Sequence, residues 1–350
     1  VRAPEQGTGP NVFYLGADRA VLDPLVAPVD RSYVFSSPDA QRLDVAPDLP
    51  GDPVTRSRTT LNTAHPRPWG WRVTAYLWAK GVGGGAVLVA ALAVLLGVDL
   101  GVLVTLVAPA LGVVGTAATG VLLVWDLKRP ERFHYLLTKS NVRSWLVKGA
   151  YALAAFAAVS GIWLLLGIGV ETGVIGSART AFTVLAALGV PTGVMVAGYT
   201  AFLFGQAEGR DLWQSPLLFW HLIVQAVMVG AGALGVAALA TGAAADGLRL
   251  IAACLTVAAV LHVLMLLLEY GGRHATRQAT VAAHMVTGGR YARQFWLGSV
   301  ALAGAAGVLA AVGWATAAPV LLAVAGLVVQ VALLIYESVF VRAGQDVPLS

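Results

Sequence analysis

Eight apolar stretches, each close to the length of a membrane crossing, follow one another along the chain from Trp71 onward. They run over 73–97, 101–124, 146–169, 180–205, 216–241, 247–270, 293–314 and 317–340. A helix needs about 20 apolar residues to cross the hydrocarbon core of a bilayer, so each stretch predicts one transmembrane helix. The fold class expected is all-α integral membrane, a bundle of eight transmembrane helices. Glycines recur within the spans, as Gly81, Gly83, Gly84 and Gly85 in the first, Gly230, Gly232 and Gly235 in the fifth, and Gly298, Gly304 and Gly307 in the seventh. Small residues let membrane helices approach closely, so these are expected first as packing positions. Pro109 and Pro191 fall inside spans, where neighbouring helices can satisfy the freed carbonyl.

Residues 1–70 follow no such pattern. They hold ten of the sixteen prolines and eight acidic residues, with no apolar run longer than a few positions. No h-region is present in them, so a secretory signal peptide is not expected. A segment of this kind cannot bury enough apolar area to fold alone. Yet it carries Phe13, Tyr14, Leu15, Tyr33, Val34 and Phe35, and aromatic clusters in a polar arm suit anchoring in pockets. The chain is therefore expected to divide into an extended N-terminal arm, 1–70, and a transmembrane domain, 71–350; the arm reads either as a plain tail or, as its aromatics favour, as a segment ordered on a partner subunit.

Composition narrows the function classes. Hydrophobic residues make up 58% and charged residues 12% of the chain, the latter about half the share of a soluble domain. A soluble enzyme, a nucleic-acid binder and a disordered chain are excluded. The net charge of +5 is then a statement about topology. Eight spans put both termini on one side. That side carries twenty Lys and Arg residues, against Arg179 and Arg249 in the opposite loops. The bias of basic loops toward the cytoplasm places both termini there. The single cysteine, Cys254, provides no disulfide framework, zinc cluster or Fe–S site within this chain.

Ionisable groups inside spans are costly and mark function by default. Lys80 lies some 10 Å into the first span at about 1.5 Å per residue. It shares a helix face with Tyr76, four residues earlier, and is also within reach of snorkelling to the surface. His221 and His262 stand at similar depth on the fifth and sixth spans. Imidazoles from facing helices can ligate a b-type haem, although a local hydrogen bond is the commoner role of such histidines. Glu269, His274, Glu337 and Tyr199 lie toward the same face. A transporter with a midplane site would need polar groups deeper in the bundle. The alternative of a solute or ion transporter keeps some support from the Gly-rich, sparsely charged spans, but no inverted repeat is visible between spans 1–4 and 5–8. The loop Trp125–Tyr135 is basic enough to touch anionic lipid headgroups. That role explains its lysines and arginines but not an Asp at the helix exit followed by Arg-Pro.

Four pieces of the chain resemble the NrfD/PsrC-like membrane subunits of respiratory oxidoreductases, the family typified by the membrane component of polysulfide reductase. The opening span reads Tyr76…Lys80-Gly81…Gly85. The loop Asp126-Leu-Lys-Arg-Pro130-Glu-Arg132-Phe resembles the family's Asp-Leu-x-Arg-Pro-x-Arg-Phe element. Gly198-Tyr199-Thr200 through Trp213 resembles its Tyr-containing fourth span. The last piece joins Glu269…His274 with Gly289-Arg-Tyr-Ala-Arg-Gln-Phe295-Trp296 and the chain end Ala343-Gly-Gln345-Asp-Val-Pro348-Leu-Ser350. The resemblance covers about residues 70–350. Lys80 departs from it, standing where members carry a smaller polar residue or His.

The resemblance implies a quinone-reactive membrane anchor in a bacterial cytoplasmic membrane. It would exchange electrons between menaquinone or ubiquinone and a four-cluster Fe–S ferredoxin-like subunit, itself paired with a molybdopterin-type catalytic subunit. It implies no haem or Fe–S cluster in this chain. Tyr76, Lys80 and Tyr199 would touch the quinone, with Asp126 and Glu269 as acids near the pocket. A proton relay is expected at His134, His274 and Glu337, and partner docking at Arg129 and Arg132. The residue types agree with that chemistry. Tyr, Lys and His donate to carbonyl oxygens, and desolvated carboxylates can relay protons near working pH. The further alternative is a purely structural anchor with no quinone site.

Overall fold

The computed structural model describes residues 69–127, 130–138, 141–207 and 209–347, without the side chains of Arg132, Leu137 and Arg277. The arm up to residue 68, with its aromatic pairs, and the docking candidate Arg129 lie outside the described residues. Among those described, all regular structure is helical. Eight helices are long and apolar enough to cross a membrane. They are α1 (Trp71–Leu96), α2 (Leu103–Asp126), α3 (Trp145–Glu171), α4 (Arg179–Gly205), α5 (Leu218–Thr241) and α6 (Ala245–Gly271), then α8 (Gln294–Thr316) and α9 (Pro319–Asp346). Between α6 and α8 lies α7 (Arg277–Thr287), a short amphipathic helix that does not cross.

Local chemistry ends these helices where the apolar runs end. Gly97 and Gly242 close α1 and α5 in the left-handed region, at φ 71° and 69°, a conformation that costs glycine nothing. The Ser144 side chain caps α3 by accepting from the Leu146 amide. Thr276 caps α7 in the same way through Ala279, satisfying an amide that the helix itself leaves open.

The helices form two rings of four. In the first, α1 packs on α2, α2 on α3, α3 on α4, and α4 back on α1. In the second, α5 packs on α6, α6 on α8, α8 on α9, and α9 back on α5. The rings meet chiefly through α1 against α5. These two are the inner helices, with 67% and 61% of their most apolar windows buried, against 44% at most in any other span. Their sequence explains the position. A methyl group on Gly85 would lie 1.7 Å from the Ala226 carbonyl oxygen, and one on Gly230 would lie 2.1 Å from Gly85 itself. Only bare backbone fits where α1 crosses α5, and dispersion across that close contact is what associates helices in lipid.

The last helix runs six residues beyond its predicted end at 340. The extension is held by a polar clasp. Gln345 accepts from the Trp69 amide at 3.0 Å and donates to the Trp69 carbonyl at 2.8 Å. Asp346 accepts from Tyr291 at 2.6 Å and from Arg290 at 3.0 Å. Burial and the Asp346 carboxylate push the Tyr291 phenol above its ordinary range. Arg210 donates to the Gly344 carbonyl, and Trp213 to that of Phe340. The start of α1 and the end of α9 are thereby tied together at one face of the bundle.

Candidate functional site

A cavity of about 490 Å³ opens inside the first ring, near the face that carries the clasp. Helical spacing builds its walls. Val73 and Tyr76 face it from α1, Thr116, Gly120 and Leu123 from α2, Ala150, Leu153 and Ala157 from α3, and Tyr199 and Leu203 from α4. Residues three and four apart share a helix face, so each helix presents one stripe to the cavity. Asp126 and Leu127 at the exit of α2, with Phe133 and Leu136 from the loop that follows, complete the lining at the charged face, and Trp69 closes one side.

The lining is mostly aliphatic and aromatic, with a few polar groups. Tyr76 and Tyr199 are buried, and the Tyr199 hydroxyl has no hydrogen-bond partner. An unpartnered phenol in an apolar wall is costly unless a ligand or water meets it. Asp126 is less enclosed. Its carboxylate stands 3.6 Å from the Arg72 guanidinium, which lies over the Trp125 ring at 4.9 Å. The Tyr199 ring is positioned by Gly149 on α3: a methyl group there would lie 2.2 Å from Tyr199 Cε2.

Of the five candidate quinone contacts, the structure brings Tyr76, Asp126 and Tyr199 to this one cavity. Lys80 is one turn deeper, behind Tyr199. Its Nζ donates to the carbonyls of Val196 at 3.2 Å and Ala197 at 2.5 Å and sits 5.4 Å from the Tyr199 ring centre. It is fully enclosed and does not snorkel. Glu269 is not brought to the cavity. It ends α6 in the other ring, with one carboxylate oxygen 3.4 Å from His221 Nδ1.

The relay candidates scatter. His134 sits exposed on the loop between the cavity-lining Phe133 and Leu136, its Nδ1 2.9 Å from the Glu131 carbonyl. His274 is half-buried beyond α6, where burial lowers its imidazole pKa and the Glu269 charge partly opposes that. Glu337 is buried on α9 and interacts electrostatically with Lys80. For Arg132 the described backbone places the residue in the helical turn Pro130–Arg132, close to the cavity mouth.

His221 and His262 do meet, but by a direct hydrogen bond of 2.8 Å from Nε2 to Nδ1. A metal ligated axially by both would have to lie between the two rings, whose centres are 4.9 Å apart and whose facing nitrogens are already in hydrogen-bond contact, too close for an ion between them. The geometry fits the local bond and not the haem.

Sequence reasoning missed Trp69, Gly149 and Leu136, and gave no role to Phe133, the last residue of the loop motif. Trp69 stacks on Trp213 at 4.6 Å between ring centres, and Trp213 lies so flat on Gly344 that a methyl there would come within 2.1 Å of its Nε1. The motif residues Trp213, Arg290, Tyr291, Gly344, Gln345 and Asp346 therefore hold one wall of the cavity. The signal is present in the motifs themselves, but they are distant in sequence, and nothing in any one of them points to the others.

Fold and site together define a multi-pass helical membrane protein with an apolar, ligand-sized cavity at one face. The chain belongs to the polysulphide reductase NrfD family, whose family model matches residues 59–346. No curated protein matches the chain. Membership makes it a membrane subunit of a quinone-reactive oxidoreductase.

Proposed function

We propose that the cavity of the first ring is the site where a membrane quinone, menaquinone or ubiquinone, exchanges electrons with an Fe–S partner docked on the charged face. The observation that carries this reading is the convergence of Tyr76, Tyr199 and Asp126 on one apolar cavity of about 490 Å³. That volume lies within the range typical of small-molecule sites, and a few polar groups in an apolar wall are what orient a ligand there. Each phenol can donate to a quinone carbonyl. Reduction consumes two electrons and two protons, and Asp126, at the exit of α2, is the acid placed to pass protons at the mouth. Lys80 sits behind Tyr199, 5.4 Å from its ring centre, and donates to the Val196 and Ala197 carbonyls.

In this reading the partners are a four-cluster Fe–S ferredoxin-like subunit and a molybdopterin-type catalytic subunit. Both termini are cytoplasmic in a bacterial membrane, Arg129 and Arg132 serve partner docking, and His134, His274 and Glu337 serve proton exchange. The test is Tyr199→Phe and Asp126→Asn in the assembled complex. Quinone-linked turnover should fall by roughly a hundredfold, within the usual effect of losing an acid–base or donor group. Turnover with a water-soluble acceptor should not change. Undiminished quinone turnover in both variants would remove the assignment.

A further inference from the structure

The second ring contains a line of buried polar groups that the cavity does not use. Glu269 and His262 are seven residues apart on α6, two turns along one face. His221, in the first turn of α5, stands between them. Its Nδ1 faces the Glu269 carboxylate at 3.4 Å and its Nε2 meets His262 Nδ1 at 2.8 Å. Each ring thus turns Nδ1 toward the charged face and Nε2 toward the interior. His221 and His262 are wholly buried.

Further buried polar groups surround the pair. His262 Nε2 and Glu337 Oε2 are buried and without a hydrogen-bond partner, as are both amide atoms of Gln225, while the buried Tyr336 and Tyr270 hydroxyls have only each other. The Tyr336 ring packs 5.5 Å from His221 and 5.4 Å from His262, centre to centre. Glu337, the next residue, interacts electrostatically with Lys80 and with Tyr76, which lines the cavity. So many unsatisfied polar atoms in one place are not tolerated dry, and bridging water is the usual solution. A structural role would be served by one hydrogen bond per histidine. It does not account for two rings in series with an unpaired nitrogen at each end, His221 Nδ1 beside the equally unpaired Glu269 carboxylate and His262 Nε2 toward the interior.

We infer that Glu269, His221 and His262 form a proton-conducting chain from the charged face to Glu337 and the rear of the cavity. The inference rests on the cavity being the quinone site. In the reducing direction Glu269 gives a proton to His221 Nδ1. His221 gives the one on Nε2 to His262 Nδ1, His262 releases the one on Nε2 through bridging water toward Glu337, and each imidazole regains its starting tautomer by ring rotation before the next passage. One proton enters and one leaves at each passage, and two passages meet the needs of one quinone receiving two electrons. Quinol oxidation runs the same chain outward. His274, beyond Glu269, stands at its outer end, and the charged or titratable groups facing it are Glu269 and Tyr270 of α6, Tyr336 and Glu337 of α9, and Lys80 of α1.

The test uses the complex purified through a tag on this chain. His262→Gln keeps a donor and an acceptor but cannot relay a proton between them. Turnover with a short-chain menaquinone analogue is measured in H₂O and D₂O, beside turnover with a water-soluble acceptor and the Kd of a quinone-site inhibitor. Quinone turnover should fall at least about tenfold, the low end of what a lost proton-transfer group costs. The solvent isotope effect should rise, while inhibitor affinity and soluble-acceptor turnover stay unchanged. Glu269→Gln, nearer the surface, should behave alike and serves if His262→Gln does not assemble. Either variant, assembled, with unchanged rate and isotope effect overturns the chain. Absence of quinone turnover in the unsubstituted complex overturns the cavity reading instead, and this inference with it.

Discussion

Gly149 shows how a residue without a side chain can shape a binding site. It leaves the space that the Tyr199 ring occupies, so Gly149→Ala must displace that ring or the helix that carries it. Misplacing a positioned group by about 1 Å can cost roughly a hundredfold in rate, and quinone-linked turnover should fall toward that extent with normal amounts of protein in the membrane. Turnover equal to the unsubstituted protein would detach Tyr199 from the reaction. His274 supports a second prediction. Its folded pKa is lowered, so the unfolded chain takes up the proton first as pH falls. The stabilisation from neutral His274 is therefore complete above its ordinary value of about 6.5 and is lost as pH falls toward the folded value. Amide exchange over 271–276, corrected for intrinsic rate, should accelerate between pH 7 and pH 5, and His274→Asn should abolish the extra acceleration. Identical profiles would exclude the effect.

Among the elements, the crossing of α1 and α5 carries the packing of the two rings. Gly85→Val or Gly230→Val forces side-chain atoms into opposing backbone, an overpacking that costs about 1–3 kcal/mol and more where backbone must move. Thermal stability in detergent should drop for either, whereas Gly304→Ala, with nothing within 4 Å of the added methyl, should be neutral. Equal stability of all three would mean the crossing is not close. The spans were legible because a run of apolar residues is a direct reading of membrane thickness, and observed ends fall within two residues of those predicted except at the end of α9. That end was not legible because Gln345 and Asp346 read as polar exit residues, while the fold buries both against partners far away in sequence. The helix α7 was missed because it is short and its buried face, Val281, Ala282, Met285 and Val286, lacks the length of a span.

For the whole molecule, the two rings separate two sets of polar residues. Tyr76, Asp126 and Tyr199 share the first ring. Glu269 carried a similar expectation but belongs to the second, because sequence depth gives the distance from a face and not the neighbour around the bundle. The same limit hid the meeting of His221 with His262: equal depth was visible, contact was not. The arm remains a sequence-based expectation at this scale. Deleting residues 1–60 should weaken retention of an Fe–S partner on purification and leave the eight spans inserted. Equal retention would make it a plain tail.

The most direct measurement is photolabelling of the membrane-embedded protein with an azido-quinone, followed by peptide mapping. Label should fall on segments of the first ring, around Tyr76 in α1, Ala150 to Ala157 in α3 and Tyr199 in α4, and excess unmodified quinone should compete it away. Competable label confined to α6, α8 or α9, with none in the first ring, would place the quinone elsewhere and contradict the cavity assignment.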